Sequence, residues 1–240
     1  QWLSRIEAEF PSMSDDLLLD LAWIDAAEKP STAPGTGKLV AWIDVAGGGR
    51  DETALCIAEH WWDDKGQKPG RIGGAWDWSI PDARNDVIAV LKRYEMRWPQ
   101  GAIVLDSGGL GHFWPRDLRA AGLSNVYGAN YGHAALDPNI HLNFKASLFW
   151  NARDAFESGE VEGLTPGSLS SSQLCTIKWD KEKRYGLIKI QEKDSKASPD
   201  RGEAVLGAVG WSVPPANADT GAWSEGDGLS AVGRGRGREW

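Results

Sequence analysis

The sequence predicts an α/β protein built on a mixed β-sheet that is flanked by helices, with an added β-hairpin. Three observations lead to this prediction. An apolar run over 39–45 is followed by two further strand-like segments, and helical and strand-like segments then alternate up to residue 157. This order is typical of a mixed sheet with helices packed on its faces. Near 175–190, apolar residues alternate on both sides of a charged turn, which indicates a hairpin.

Composition limits the class of protein before any motif is considered. The 240 residues suffice for one sizeable domain, and the 41% hydrophobic and 25% charged residues are ordinary for a soluble globular chain. Two cysteines cannot build a disulfide framework or a structural zinc site. We expect an intracellular protein without a membrane segment, because no signal peptide and no apolar run of about 18 residues is present. The net charge of −8 argues against a protein that coats polyanions with its whole surface.

The first segment, 1–37, is predicted to be a linker region left from a preceding unit. The chain opens with Gln1 rather than Met, so we expect it to be a piece of a longer protein. Ser14 is a suitable N-cap, and apolar residues follow it at helical spacing until Pro30. These apolar residues are Leu17, Leu18, Leu21, Ile24 and Ala27. A short helix cannot bury its own apolar face, so we expect it to pack on a neighbour.

The remaining elements are predicted in order along one folded domain over 38–213. Strands are expected at 39–45, 53–59, 71–79, 102–105 and 125–127. Helices are expected at 82–98, 113–121, 142–157 and from Pro199 to about 211, the last with Ser198 as its N-cap. The final segment, 214–240, is rich in glycine and nearly devoid of aliphatic residues, which is typical of a disordered tail.

A phosphate-binding loop is excluded at Gly35–Lys38. The position five residues before Gly37 is Thr32 rather than glycine, and Leu39 follows Lys38 where serine or threonine is needed. No strand precedes the segment either.

Three acidic residues occupy positions that favour metal binding. Asp44 and Asp106 each end a buried strand before a glycine-rich run, and Asp200 opens the last helix. Carboxylates that converge repel one another unless a cation neutralises them, and oxygen ligands suit Mg²⁺ or Mn²⁺. Two such ions can clamp a phosphoryl displacement. For each acid alone, a turn or helix-dipole role is the alternative. Asp51 and Glu203 lie nearby as possible auxiliary acids.

Three sequence motifs resemble those of one protein family. The run from Trp42 to Thr53, WIDVAGGGRDET, is similar to the first nuclease motif of phage large terminase subunits. The run IVLDSGGLG over 103–111 is similar to their second motif, and Lys193 followed by SPDRGEA over 198–204 is similar to the end of that domain. The resemblance extends over roughly residues 5–212. Gly202-Glu203 stands where an Ala-Asp pair is usual, which leaves open whether Asp200 or Glu203 is the third metal ligand.

The resemblance implies an RNase H-like fold and a metal-dependent endonuclease that cuts concatemeric viral DNA during genome packaging. Its catalytic and metal-binding residues would be Asp44, Asp106 and Asp200, with two Mg²⁺ or Mn²⁺ ions. The expected partners are double-stranded DNA, the portal protein and the small terminase subunit, in the host cytoplasm. The ATPase motor that precedes this domain in the family is absent from the chain.

The hairpin region is the expected DNA contact. Residues 178–196 carry a local net charge of +3 within a chain of net charge −8. Lys181, Lys183, Arg184 and Lys193 are the candidate contacts to DNA phosphates. The alternative is an ordinary solvated hairpin.

Two other functions compete with a nuclease. An actin-like or sugar-kinase-like ATP-binding domain also begins with turns of the Asp-x-Gly-Gly type, but such proteins need two domains of this kind. The other alternative is a docking module for DNA packaging that keeps the fold without catalysis.

Overall fold

A computed structural model describes residues 16–32, 35–46, 52–63, 66–78, 83–95, 101–106, 111, 113–192 and 198–211. The described helices are α1 (Leu21–Ala27), α2 (Arg84–Lys92), α3 (Trp114–Ala120), α4 (Phe144–Glu157), α5 (Leu169–Leu174) and α6 (Asp200–Gly210). The strands are β1 (Lys38–Asp44), β2 (Thr53–Asp63), β3 (Gly66–Trp78), β4 (Ala102–Asp106), β5 (Val126–Ala129), β6 (Trp179–Lys181) and β7 (Ile188–Ile190). In this part of the chain, no helix combines the length and apolarity that crossing a bilayer requires.

The predicted mixed sheet and the added hairpin are both confirmed. The five main strands lie in the order β3-β2-β1-β4-β5, and β6 and β7 form a separate two-stranded sheet. Strands β1, β2 and β3 pair antiparallel, whereas β4 runs parallel to both β1 and β5. The carboxyl ends of β1 and β4 therefore meet at one edge of the sheet.

The two faces of the sheet carry different helices, because successive side chains of a strand point to opposite faces. On one face, alternate residues of β1 and β4 pack in an apolar layer against α2 and α3. On the other face, the intervening residues pack against α1, α4, α5 and α6. Trp42 belongs to this second face and is fully buried.

Helix α6 lies close to the second face because two of its residues lack a side chain. A Cβ atom on Gly207 would overlap the ring of Trp42, and a Cβ atom on Gly210 would overlap the carbonyl oxygen of Leu148 in α4. These glycines allow α6 to pack directly on both the sheet and α4.

The N-terminus of α6 is capped by a residue distant in sequence. The side-chain oxygen of Gln173, in α5, accepts hydrogen bonds from the backbone N–H groups of Arg201 at 2.8 Å and Gly202 at 3.1 Å. These groups have no partner within the first turn of a helix, so the contact replaces a local cap. It fixes the start of α6 relative to α5.

The predicted start of the first helix is wrong. Leu17 forms an antiparallel bridge with Lys178 instead of entering a helix. Helix α1 begins only after Asp20, whose side chain accepts a hydrogen bond in the first turn. A residue distant in sequence thus pairs with backbone that the apolar spacing had predicted to be helical. Ser14, the predicted cap, lies outside the described residues.

The described part of segment 1–37 packs into the same core as the sheet. Leu18, Leu19, Ile24 and Ala27 are buried among residues of β1, α4 and α6. The expected packing of this helix on a neighbour is therefore confirmed. The domain boundary at 37 stays a prediction, and 214–240 lies outside the described residues.

Two local predictions need correction. Helix α5 was not predicted from the sequence, because its serine-rich run has no apolar period. From the charges of Asp180-Lys181-Glu182-Lys183-Arg184, the sequence predicts the hairpin turn at 180–184. It lies at 182–187 instead, where the N–H of Glu182 donates to the carbonyl of Leu187 at 2.7 Å. Residues 179–181, which precede the turn, belong to β6 and pair with β7.

The segment at Gly35–Lys38 is confirmed not to be a phosphate-binding loop. Lys38 begins strand β1 rather than a helix. The N–H of Gly37 donates to a carboxylate oxygen of Glu59 at 2.5 Å, which ties the segment to β2.

Candidate active site

Asp44 and Asp106 lie side by side at the edge of the sheet. Asp44 is the last residue of β1 and Asp106 the last residue of β4, and the parallel register pairs Ile43 with Leu105, one residue before each. The alternation of side chains directs both carboxylates to the face that carries α4 and α6. Asp44 is buried, with 8% of its surface exposed, whereas Asp106 is half-buried.

A buried tyrosine hydroxyl shows which carboxylates share one environment. Tyr131 is only partly buried as a residue, but its hydroxyl oxygen is buried. Burial raises the pKa of Tyr131 well above its usual value, and the negative charges of Glu203, Asp44 and Asp106 raise it further. Three carboxylates from three separate elements are therefore close enough to this phenol to act on it electrostatically. The Tyr131 ring is held in place by stacking on Trp42, with ring centroids 5.7 Å apart.

Glu203 enters this cluster from α6 together with a lysine from α4. Its side chain is 2% exposed, and its Oε1 lies 2.9 Å from Nζ of Lys145. The side chain of Lys145 is 17% exposed, so this ion pair is largely shielded from water. A buried carboxylate needs such a partner, because an isolated buried charge is costly.

Asp200 has a different environment from Glu203, although both lie in the first turn of α6. One carboxylate oxygen of Asp200 accepts the backbone N–H of Glu52 at 3.0 Å, and the other accepts the hydroxyl of Ser198. Pro199, predicted as the first helical residue, occupies the cap position instead, and the helix begins one residue later. The surroundings of Asp200 are those of a brace between α6 and the chain leading into β2.

The two acids of α6 thus face different groups, and the identity of the third metal ligand, Asp200 or Glu203, stays a prediction. Glu203 shares the environment of Asp44 and Asp106 at Tyr131, whereas Asp200 is engaged by Glu52 and Ser198. Metal ligation by Asp200 stays a prediction. Asp51, the other possible auxiliary acid, lies outside the described residues.

A complete metal cage is not preformed in the described part of the chain. There, no group of three His, Cys, Asp or Glu side chains meets the requirements for holding one metal ion. Carboxylates without a cation repel one another, so an open arrangement is the expected state of such a cluster.

The predicted DNA-contacting residues of the hairpin are solvent-exposed. Lys181, Lys183 and Arg184 all lie at its surface, and the guanidinium of Arg184 stacks on Tyr185, 4.8 Å from the ring centroid. Strand β7 is joined to the segment before α4 by two backbone hydrogen bonds, between residue 188 and residues 140 and 142. The hairpin is therefore anchored next to the start of α4. Lys193 lies outside the described residues.

Sequence reasoning assigned no role to Tyr131 or Lys145. Lys145 stands in the first turn of α4, two residues after the N-cap Asn143, whose side chain accepts the N–H of Ala146 at 3.0 Å. That cap could have placed Lys145 at a helix start. Nothing local could have shown that Tyr131 stacks on Trp42 of β1 or that it feels the charges of Asp106 and Glu203.

Comparison with known proteins shows likeness in structure rather than in sequence. No family model and no curated protein matches the chain. The nuclease domain of the large terminase subunit gp2 of bacterial virus Sf6 is similar, with a TM-score of 0.61 and 12% identity, over 80% of this chain and 98% of that chain. The large terminase nuclease from thermophilic phage G20c with bound magnesium has a TM-score of 0.54 and 16% identity, over 83% and 98% of the two chains.

A third similar structure is a longer protein. The HK97 bacteriophage large terminase has a TM-score of 0.57 and 14% identity, over 81% of this chain but 43% of that chain. Identities this low establish a shared fold and leave function to be argued from the site. The chain therefore has the RNase H-like fold that the resemblance implied.

Proposed function

We propose that this chain is the nuclease domain of a phage large terminase subunit, an endodeoxyribonuclease that cuts concatemeric viral DNA during genome packaging in the host cytoplasm. One observation carries the proposal: Asp44 and Asp106 end adjacent parallel strands at the same end of the sheet, and the start of α6 brings Glu203, whose charge acts on the same buried Tyr131 phenol as theirs. Acidic side chains gathered at that edge suit metal-dependent phosphodiester hydrolysis. The fold and the order of the three motifs along the chain agree with it.

The residues present fit divalent cations. The donors are carboxylate oxygens, which Mg²⁺ and Mn²⁺ prefer, and the ammonium of Lys145 already lies against one of them as a stand-in cation. Similar solved structures include terminase nucleases with bound magnesium and with manganese. Two such ions, when bound, would polarise the scissile phosphate and activate the attacking water.

Each carboxylate has its own task in this proposal. Asp44 and Asp106 hold the ions from adjacent strands, where a short side chain on a fixed backbone keeps the oxygen atoms in place. Glu203 closes the site from α6. Asp200 holds the start of α6 against Glu52, and any direct ligation by Asp200 would add to this role.

The hairpin supplies the DNA contact in the proposal. Lys181, Lys183 and Arg184 are exposed and stand on a strand pair anchored next to α4, which carries Lys145. Exposed cations of this kind bind phosphates by releasing counterions. The portal protein and the small terminase subunit are the partners that the resemblance suggests.

A cleavage assay on supercoiled and linear double-stranded DNA tests the proposal. Wild-type protein should cut with Mg²⁺ or Mn²⁺ and should be inactive in EDTA. Asp44→Asn and Asp106→Asn should each lose cleavage while keeping the fold by circular dichroism. Asp86→Asn is the matched control, because Asp86 is an exposed aspartate on α2, on the opposite face of the sheet.

The alternatives give different results in the same experiment. Retained Mn²⁺-dependent nicking by both site variants would overturn the assignment of the site. Turnover of ATP by the pure wild-type protein would favour the kinase-like alternative. Binding of DNA without cleavage under any metal condition would favour the docking module.

A further inference from the structure

Lys145 brings a cation to the carboxylate cluster, and its ammonium contacts one carboxylate and two aromatic rings. Its Nζ lies 2.9 Å from Oε1 of Glu203, and this pair is largely buried. The same ammonium lies 4.8 Å from the ring centroid of Tyr131 and 5.2 Å from that of Phe149. Both distances are within the range of a cation–π interaction. The ammonium therefore sits between a carboxylate and two aromatic faces.

Hydrogen bonds also hold the backbone at Lys145. Its N–H donates to the carbonyl of Tyr131 at 3.2 Å, and the N–H of Phe144 donates to the carbonyl of His133 at 2.8 Å. The Asn143 cap fixes the same helical turn. Lys145 and Tyr131 are thus joined through backbone and side chain, so the ammonium cannot swing far from Glu203 without leaving its aromatic contacts.

We propose that Lys145 is a positioning residue that neutralises Glu203 before metal binds, and that a divalent ion must compete with its ammonium for this carboxylate. The inference rests on the proposed function, because it concerns how the same site is loaded. It follows that Lys145 stabilises the metal-free protein and weakens its affinity for the ion. Removing the lysine leaves the cluster one unit more negative, which favours a divalent cation.

The experiment measures Mn²⁺ affinity by titration calorimetry and melting temperature in EDTA, for wild type and four variants. Lys145→Met removes the charge and keeps the apolar stem. Lys145→Arg keeps the charge. Lys178→Met is the matched control, because Lys178 pairs with Asp16 at 2.8 Å and neither residue belongs to the cluster. The double variant Lys145→Met/Glu203→Gln removes both members of the pair.

Lys145→Met should melt at a lower temperature in EDTA and bind Mn²⁺ about tenfold more tightly, since a unit charge at contact distance shifts ion binding by this order. Lys145→Arg should resemble wild type in affinity. Lys178→Met should leave Mn²⁺ affinity unchanged. The double variant should regain melting temperature, because no uncompensated carboxylate remains, and should lose Mn²⁺ affinity. If the role of Lys145 were purely structural, Lys145→Met would lower the melting temperature without increasing the affinity for Mn²⁺.

If wild type binds Mn²⁺ and Lys145→Met binds it equally or more weakly, this inference is overturned. The proposed function is not affected by that result. If wild type itself binds no Mn²⁺ and cuts no DNA, both are overturned. If Lys145→Met does not fold in EDTA, Lys145→Gln takes its place, and the same comparison of affinities decides.

Discussion

Neighbouring residues on two strands lie on opposite faces of the sheet, and the two faces differ in kind. Ile43 and Leu105 are fully buried in an apolar layer beneath α2 and α3. Asp44 and Asp106 follow them directly and lie on the face where α4 and α6 bring Lys145 and Glu203. Both faces bury apolar side chains, but at the carboxyl ends of β1 and β4 only the face of α4 and α6 also carries buried charges. Along each strand, a single residue separates a core position from a carboxylate of the candidate site.

The largest expected difference is between substitutions of two adjacent residues on β4. Asp106→Asn should reduce cleavage at least about 100-fold, the scale of losing one electrostatic group of an active site. It should keep or raise the melting temperature without metal, because one like charge is removed. Leu105→Ala should instead cost about 2–5 kcal/mol of stability, as other large-to-small core changes do.

Cleavage rate at low temperature and urea denaturation, measured on both variants, check this prediction. A normal rate for Leu105→Ala below its melting transition is expected. If Leu105→Ala loses cleavage as fully as Asp106→Asn while still folded, the two faces are not separable.

A second prediction separates the two acids of α6. Glu203→Ala should lower the cleavage rate by about 100-fold or more, because Glu203 shares the environment of Asp44 and Asp106. Asp200→Asn should lose about 1 kcal/mol or more of stability, since it loses charge-assisted hydrogen bonds to Glu52 and Ser198, and should keep Mn²⁺ binding. Calorimetric Mn²⁺ titration beside the cleavage assay measures both. Loss of Mn²⁺ binding by Asp200→Asn, with Glu203→Ala still binding, would make Asp200 the ligand.

A third prediction concerns pH and again the face that carries α6. Burial lowers the pKa of His60 to about 4, although its Nε2–H donates to the carbonyl of Ala208 at 2.8 Å. Between the ordinary value of 6.5 and about 4, the unfolded chain takes up a proton that the folded protein refuses. Stability is therefore complete above pH 6.5 and declines as the pH falls to about 4. The loss is up to about 3 kcal/mol, since one pKa unit is worth about 1.4 kcal/mol.

Urea denaturation at several pH values, on wild type and His60→Gln, isolates this contribution from that of the carboxylates. Glutamine can donate to the same carbonyl but does not titrate. The difference in unfolding free energy between the two proteins should shrink as the pH falls through this window. A difference that is constant with pH would contradict the prediction.

The smallest expected effect lies on the hairpin, away from both packed faces. Replacing Lys181, Lys183 and Arg184 with alanine should weaken DNA binding and reduce the salt slope by about one unit per lost phosphate contact. The melting temperature should barely change, because all three side chains are exposed. Binding isotherms at several salt concentrations measure this, with Lys92→Ala as a control for the loss of one exposed positive charge on α2, away from the hairpin. An unchanged slope would make this an ordinary solvated hairpin.

Much of the fold could be predicted because strands and long helices carry their pattern locally. Strands β1 and β4 could be predicted from their continuous apolar runs at 39–45 and 102–105, each with an aspartate at its end. The observed strands, Lys38–Asp44 and Ala102–Asp106, differ from these bounds by one residue. The start of α1 could not be predicted, since the pairing of Leu17 with Lys178 spans the chain. Helix α5 could not be predicted either, because its contribution is the long-range cap that Gln173 provides to α6.

The candidate site divides in the same way. From the sequence alone come the pair Asp44 and Asp106, the acidic start of the last helix and the basic hairpin, because each depends on residues close together in the chain. The different surroundings of Asp200 and Glu203, which share a helix face one turn apart, came only from the tertiary structure. The carboxylate of Asp200 is engaged by the N–H of Glu52, which is distant in sequence, and by the hydroxyl of the neighbouring Ser198. The carboxylate of Glu203 pairs with the remote Lys145, and its charge acts on the remote Tyr131. The local sequence determines which element carries a charged residue. The packing of elements remote in sequence determines which groups that residue contacts.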